Sequence, residues 1–379
     1  MRKIWKTIGG ASVAGLMALA PQMAAAETGF IANSFYDAST PFSKWGYLDW
    51  AETVKELSGG DLVPEVFTGT VLLAPRANLQ GIRDNVVQVA HHAAIYTPSE
   101  LPVANAVQEL GFNYSDPLVA IFAVADFSMH NQTQLAEWKD NGVVYLGAYA
   151  TPPYLLFCRS PIRTLEELKG KRIRTAGSTV SLWVEEAGGI PVNVPSSEMY
   201  TGLERGTLDC ASNAGNDLID RSLWEVAEYT TLLPTGMYWS GPNWGYNPGF
   251  WAGLTPEQRG ILMQATARAM ARMNIAYIQR AEDALKEAQE KGHTVYEPGE
   301  DLMASVTAYR EKALASVYET AEQKYGLSNG KEVIDDFRAT WDKWEKLLAD
   351  VDRTDEDALT ALAMREIYDT LDPATYGVE

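Results

Sequence analysis

The chain has 379 residues, of which 46% are hydrophobic and 10% aromatic, a composition that fits packed cores and excludes a disordered chain. Its 50 acidic residues against 31 basic ones give a formal charge of −19, which argues against nucleic acid as a partner because phosphate backbones bind basic surfaces. The length exceeds what one hydrophobic core organises well, so two domains are expected.

The first 26 residues have the layout of a secretory signal peptide. A basic stub with Arg2, Lys3 and Lys6 precedes an apolar run from about residue 8 to residue 19, and MAAA ends the segment before Glu27. Because the apolar run is short and contains several glycines, a signal peptide is favoured over a retained membrane anchor. Its removal takes the formal charge to −22.

Strand and helix patterns alternate through the first part of the mature chain. They predict a strand at 30–35, a helix at 41–57, a strand at 62–67, a helix at 79–83 and a buried strand in VVQVAHHAAIY at 86–96. Such alternation predicts parallel strands joined by helical crossovers, and therefore an α/β sheet. This first unit is predicted to end near Tyr149.

A second α/β unit follows the same logic. After VVYLGAY at 143–149, the patterns predict strands in YLLFCRS, KRIRTA, IPVNV and TLDCASN, with helices at TLEELKG, 180–187 and 197–205. The segment GKRIRTAGS places Arg172 and Arg174 on one face of its strand, directly before a turn.

Helices dominate from residue 255 onwards. Thr255 and Pro256 form a helix start, and no strong breaker except Gly260 occurs before Gly292. A helix of that extent is about 50 Å long at ~1.5 Å per residue, so it is expected to bridge both units. Further helices are predicted at 301–325, 330–351 and 355–371, packed around the second unit.

The two cysteines of the chain are Cys158 and Cys210. In an exported protein they meet an oxidising compartment, where a disulfide forms if the two lie close together. Sequence alone does not give their separation. A disulfide and two buried free thiols both stay open.

Several segments, taken in order, resemble the periplasmic substrate-binding proteins of TRAP transporters, the ATP-independent importers of organic acids. They are ELSGGDL before a strand, LPVANAVQELGF, TLEELKGKRIRTAGS, PVNVPSSEMYTGLERGTLDCASN, and LTPEQR at the start of the long helix. Each motif is degenerate alone, but their order and spacing are specific. The resemblance covers nearly all of the mature chain.

The resemblance implies an α/β, two-lobed type II periplasmic-binding-protein fold with a long helix spanning both lobes. Lobe I would comprise 27–149 and 236–270, and lobe II 150–235 and 271–379 with the C-terminal helices. The ligand would lie between the lobes, whose closure creates the shape that the membrane permease recognises.

The resemblance also implies ligand-binding residues. Arg174 would hold the ligand carboxylate, Asn213 would face the ligand, and Tyr36, Tyr96 and Trp239 would add contacts. Where the family commonly carries a DGQEN-like segment, this chain has DCASN, so ligand identity does not carry over.

An arginine fork suits a carboxylate because two parallel donors meet two oxygens, and a sulfonate fits as well. Arg159, after an apolar strand, is a second candidate for the anionic end of the ligand, with a surface ion pair as the alternative. Arg172 is expected to form a structural ion pair. Backbone donors at 177–179, the start of the next helix, are expected to approach the ligand.

Neither metal nor cofactor is expected. His91 and His92 are adjacent and therefore point to opposite faces of a strand, which makes them poor joint metal ligands.

The sequence thus predicts a periplasmic receptor, expected to be monomeric, that passes a small organic anion to TRAP permease subunits. A secreted hydrolase acting in the interlobe cleft is the alternative; an H-E-x-x-H motif is absent, but a paired-carboxylate glycosidase stays open. A receptor of the ATP-driven ABC class shares the lobed architecture, against which the long bridging helix argues.

Overall fold

The computed structural model describes residues 27–378, so the predicted signal peptide lies outside the described residues. The described chain contains two β-sheets. Their strands, in chain order, are β1 (Thr28–Ser34), β2 (Leu62–Thr68), β3 (Val89–Ala90), β4 (Val144–Tyr145), β5 (Tyr154–Cys158), β6 (Arg172–Arg174), β7 (Ile190–Val192), β8 (Cys210–Ala214), β9 (Tyr229–Thr231), β10 (Gly245–Tyr246) and β11 (Thr294–Tyr296).

The strand order shows how the chain passes between the sheets. The first sheet has the order β2-β1-β3-β10-β4, and the second has the order β11-β9-β5-β8-β6-β7. β1 pairs in parallel with β2 and β3, whereas β10 lies antiparallel between β3 and β4. The chain therefore leaves the first sheet after β4 and returns to it through β10.

The two crossing segments are hydrogen-bonded to each other. The amide of Thr151 donates to the carbonyl of Tyr238 at 3.0 Å, and the amide of Tyr154 donates to the carbonyl of Gly236 at 2.7 Å. We call the first sheet with its helices the first unit and the second sheet with its helices the second unit. The predicted α/β fold is confirmed.

Helices surround both sheets. They are α1 (Pro41–Ser43), α2 (Asp49–Leu57), α3 (Asn78–Arg83), α4 (Pro102–Gln108), α5 (Pro117–His130), α6 (Gln132–Asp140), α7 (Leu165–Leu168), α8 (Ser178–Glu186), α9 (Met199–Glu204), α10 (Asp217–Asp220), α11 (Pro248–Gly253), α12 (Pro256–Glu290), α13 (Glu300–Glu319), α14 (Gly330–Leu347) and α15 (Glu356–Glu366). Single π-helical turns at Lys44–Leu48 and Thr320–Lys324 join or extend neighbouring helices.

The long helix α12 has 35 residues and begins with a capping box between Thr255 and Gln258. It packs against α2 and α5 of the first unit and against α10 and β11 of the second. The prediction that this helix bridges both units is confirmed.

The C-terminal helices differ from the prediction that all of them pack around the second unit. Only α13 reaches the second core, through Leu302, Val306 and Tyr309. α14 packs instead on α5, and α15 packs on α12. The reason is that α5, which the sequence analysis missed, is apolar on every side and therefore needs a cover beyond the first sheet.

The disulfide that the sequence left open is formed. Cys158 and Cys210 lie directly opposite each other where β5 and β8 pair, with their Cα atoms 4.1 Å apart. The bond joins two central strands of the second sheet, and β8 carries Asn213 three residues further on.

Candidate functional site

Arg174 ends β6, and its guanidinium is held by backbone carbonyls alone. Only 2% of the residue is exposed; Nε donates to the carbonyl of Val194 and Nη1 to that of Ser212, each at 3.1 Å. Within residues 27–378 no carboxylate lies within 4.0 Å of this guanidinium. Because a buried charge without a partner is costly, the site is suited to an external anion.

Arg172, two residues earlier on the same strand, has a different environment. Its Nε and Nη2 donate to the two carboxylate oxygens of Asp209 at 2.9 and 2.8 Å. These hydrogen bonds lower the pKa of Asp209. The prediction that Arg172 forms a structural ion pair is confirmed.

A polar network continues from β8 into the turn that follows it. Asn213 donates through Nδ2 to a carboxylate oxygen of Asp217, whose other hydrogen bonds come from Asn216 Nδ2 at 3.0 Å and Arg221 Nε at 3.1 Å. Burial raises the pKa of Asp217, and the neighbouring Arg221 opposes that shift. Asp217 and Arg221 were not predicted, although their spacing of four residues puts the two side chains on one face of the turn formed by α10.

The first unit meets this network with aromatic side chains. Arg221 Cζ lies 5.1 Å from the ring centroid of Tyr36, and its Nη1 lies 3.7 Å from Asp37 Oδ2. The hydroxyl of Tyr96 accepts a hydrogen bond from the amide of Ser196 at 3.2 Å. The two units therefore contact each other across a region that we call the cleft, which contains Arg174, Asn213, Tyr36, Tyr96 and Tyr154.

Tyr154, the first residue of β5, belongs to the cleft because of its charged neighbours. Burial raises the pKa of its hydroxyl, while the positive charge of Arg174 opposes that shift. The tyrosine stays protonated at neutral pH, so it offers a hydroxyl donor rather than a negative charge.

His91 lies within the aromatic wall of the first unit. Its ring centroid is 4.6 Å from that of Tyr149, 4.9 Å from Phe35, 5.3 Å from Phe42 and 5.5 Å from Tyr36. Neither ring nitrogen has a hydrogen-bond partner among the described residues. Burial lowers the pKa of this imidazole to about 3, so it is uncharged at neutral pH.

Trp239 is outside the cleft, contrary to the prediction. Its ring packs against Phe337 at 5.8 Å, Trp341 at 5.9 Å and Tyr114 at 6.3 Å, in the core that α14 covers. The large indole is needed to fill the space under α14, a helix whose packing the sequence analysis had assigned to the other unit.

Arg159 also lies away from the cleft. It follows β5 at the end opposite Tyr154, and its amide donates to the carbonyl of Asp209 at 3.0 Å. Four residues of extended strand, about 13 Å, separate it from the level of Asn213. The side chain is exposed at the far edge of the second unit, where it has no access to the cleft.

Comparison with known proteins gives the family. The family model of bacterial extracellular solute-binding proteins, family 7 (DctP), matches residues 34–323. The chain belongs to that family. It is a solute-binding protein of the type that serves TRAP transporters, as the sequence analysis predicted.

Relatives of this solute-binding protein are distant in sequence. A solute-binding protein of Albidiferax ferrireducens is 25% identical over 195 residues, which cover 50% of this chain and 56% of the relative. The C4-dicarboxylate-binding periplasmic protein DctP of Rhodobacter capsulatus is 23% identical over 301 residues, which cover 76% of this chain and 84% of the relative.

Solved structures share the fold. A TRAP solute-binding protein from Rhodoferax ferrireducens, in complex with copurified benzoate, has a TM-score of 0.74 at 19% identity and covers 84% of this chain and 99% of its own. One from Bordetella bronchiseptica with bound mandelate has a TM-score of 0.72 at 19% identity, covering 83% and 99%. The two-lobed TRAP architecture is therefore shown for this solute-binding protein.

The side chains at the start of α8 form hydrogen bonds within the protein. Gly177, with φ of +102°, forms the turn, and the hydroxyls of Ser178 and Thr179 donate to the buried carboxylate of Glu109. Tyr325 also donates to that carboxylate. These two hydroxyls therefore bind an acid of the first unit, while the expectation that backbone donors at 177–179 approach the ligand stays a prediction.

Within residues 27–378 no helix is long and apolar enough to span a bilayer. No group of three or more His, Cys, Asp or Glu residues in that range is arranged to hold a metal ion.

Proposed function

We propose that this solute-binding protein is a periplasmic receptor that captures a small organic anion, a carboxylate or a sulfonate, in the cleft. Arg174 would bind the acid group, with Asn213, Tyr36 and Tyr96 around the rest of the ligand. The observation that carries the proposal is the buried guanidinium of Arg174, which has no carboxylate of the described residues within 4.0 Å. Backbone carbonyls fix the fork before any ligand arrives, so little ordering is needed on binding.

The relatives support an acid as the ligand. The Rhodoferax ferrireducens protein was solved with benzoate and the Bordetella bronchiseptica protein with mandelate, and both molecules are carboxylates. A planar guanidinium pairs with such a group through two charge-assisted hydrogen bonds.

The cellular role follows from the family. After export directed by residues 1–26, the receptor would bind its ligand in the periplasm as a monomer and deliver it unchanged to TRAP permease subunits. Lobe I would consist of 27–149 and 236–270, and lobe II of 150–235 with the segment from 271 onwards, except that α14 and α15 pack with the first unit. Lobe closure around the ligand would create the surface that the permease binds.

Isothermal titration of a panel of carboxylates and sulfonates tests the proposal. Arg174→Met should weaken binding of the best ligand on the order of 100-fold, because a buried charge-assisted fork is lost. Arg172→Met is the matched control, since it removes an arginine of the same strand that already has Asp209 as its partner. Equal binding by Arg174→Met and wild type would contradict the proposal.

The same experiment separates a receptor from a hydrolase. Ligand recovered from the complex should be chemically intact after prolonged incubation, whereas a hydrolase would release a product. Size-exclusion chromatography with light scattering checks the monomer.

A further inference from the structure

Resting on the proposed function, we propose that Asp217 makes the cleft selective for ligands with a single acid group. It does so by occupying Arg221, the second buried guanidinium of the cleft, in the place where a second ligand carboxylate would otherwise bind.

Arg221 forms a buried ion pair with Asp217. Its side chain is 6% exposed and that of Asp217 is 3% exposed, with Nε and the carboxylate oxygen 3.1 Å apart. Nη2 lies 3.5 Å from Ser196 Oγ, and Nη1 lies 3.7 Å from Asp37 Oδ2. The two Nη contacts are longer than ordinary hydrogen bonds, so the charge of Arg221 is balanced mainly by the buried carboxylate of Asp217.

The balance of buried charges in the cleft favours a ligand with one acid group over a ligand with two. Arg174 and Arg221 bring two buried positive charges, and Asp217 brings one buried negative charge. Asp37 has 60% of its side chain exposed, so solvent screens it. One positive charge, that of Arg174, remains for the ligand. A second ligand carboxylate in the same space would be buried beside Asp217 without a free cation, which is strongly disfavoured.

The opposite wall adds no cation. Around His91 lie the rings of Phe35, Tyr36, Phe42 and Tyr149, and Tyr36 stacks on Phe42 at 4.4 Å with an interplanar angle of 7°. The imidazole is held uncharged by burial, as its pKa of about 3 indicates. Such a wall favours an apolar or aromatic ligand body over a second acid group.

Titration with skeleton-matched acids tests the inference. The probes are benzoate against terephthalate and butyrate against succinate, with monomethyl terephthalate as the size control because it has the length of the diacid but one charge. Wild type should bind each monoacid at least ~10-fold more tightly than its diacid. Asp217→Asn should move that ratio at least ~10-fold towards the diacid, because Arg221 then lacks a counter-ion.

Two variants separate selectivity from general damage. Asp220→Asn is the matched control: Asp220 is equally buried in the same turn, but it pairs with Arg280 at 2.8 Å and should keep the wild-type ratio. The double variant Asp217→Asn/Arg221→Met removes both charges and should restore the preference for monoacids.

The outcomes distinguish this inference from the proposed function. If wild type binds diacids as tightly as monoacids, or if Asp217→Asn leaves the ratio unchanged, Asp217 is not the determinant although the receptor stands. If Asp217→Asn does not fold, the inference is judged by the ratio of monoacid to diacid affinity in wild type and in the double variant: a preference for diacids in either protein would contradict it. If wild type binds no acid of the panel, the proposed function fails and this inference fails with it.

Discussion

The carboxylate of Glu109 joins the two units, and its neutralisation gives a quantitative prediction. It belongs to the first unit but accepts hydrogen bonds from Ser178 and Thr179 of α8 and from Tyr325, and Lys324 Nζ lies 3.1 Å away. Glu109→Gln keeps the size but removes the charge and one acceptor oxygen. Losing the charge assistance of several buried hydrogen bonds should lower the free energy of unfolding by about 2–4 kcal/mol.

The entropy of unfolding grows with chain length, so for about 350 residues a loss of 1 kcal/mol lowers the melting temperature by ~1.4 °C. The expected fall for Glu109→Gln is therefore about 3–6 °C. Urea denaturation and calorimetry at pH 7 measure both quantities. Glu186→Gln is the control, since its partner Lys312 and Glu186 itself are more than half exposed; it should change stability by less than about 0.5 kcal/mol. If Glu109→Gln and Glu186→Gln are equally stable, the carboxylate does not hold the units together as described.

Other predictions concern redox state and pH. Cys158 and Cys210 are 52 residues apart, and reducing their disulfide should lower the free energy of unfolding by about 2–4 kcal/mol, because the unfolded chain loses a constraint. Identical urea midpoints with and without dithiothreitol would contradict this prediction. His91 and His92 have pKa values of about 3 in the folded state against 6.5 ordinarily, so below pH 6.5 the unfolded state binds protons that the folded state does not. Stability should therefore fall as the pH decreases from 6.5 to 5, with a slope of up to ~1.4 kcal/mol per pH unit for each histidine. His92→Gln should reduce that slope in urea titrations; an unchanged slope would show that this imidazole is not buried in its neutral form.

The elements that the sequence predicted well carry their own local determinants. α12 has a capping box, a proline in its first turn and no breaker in its length other than Gly260, and the strand containing Arg174 is bounded by glycines. These features depend only on residues nearby in the sequence, so the elements can be predicted without knowing what they pack against.

Elements whose structure depends on distant partners were predicted less well. The strand expected at 86–96 is regular only at Val89–Ala90, because the amides of His92 and Ala94 bond to Pro242 and Ser240 in the irregular returning segment. α5 is apolar without a polar face, so its pattern lacks the helical period that marks a half-exposed helix. The placement of α14 followed from α5 and was therefore missed as well.

The candidate site divides in the same way. Arg174, Asn213, Tyr36 and Tyr96 were named from a family resemblance, and the structure brings them together in the cleft. Trp239 lies in the core under α14 instead, and sequence alone does not distinguish an indole that fills a core from one that contacts a ligand. The pair of Asp217 and Arg221 was not predicted. Which charged residues pair with each other, and which remain unpaired, is determined by the folded chain and not by the sequence pattern.

The most direct test of anion capture by Arg174 is a crystal structure of the protein soaked with, or purified with, a monocarboxylate that titration shows to bind. The carboxylate oxygens should lie about 3 Å from the guanidinium nitrogens of Arg174, with Arg221 still paired to Asp217. A ligand whose acid group lies elsewhere, while Arg174 is neutralised by a carboxylate of the protein, would contradict the mechanism.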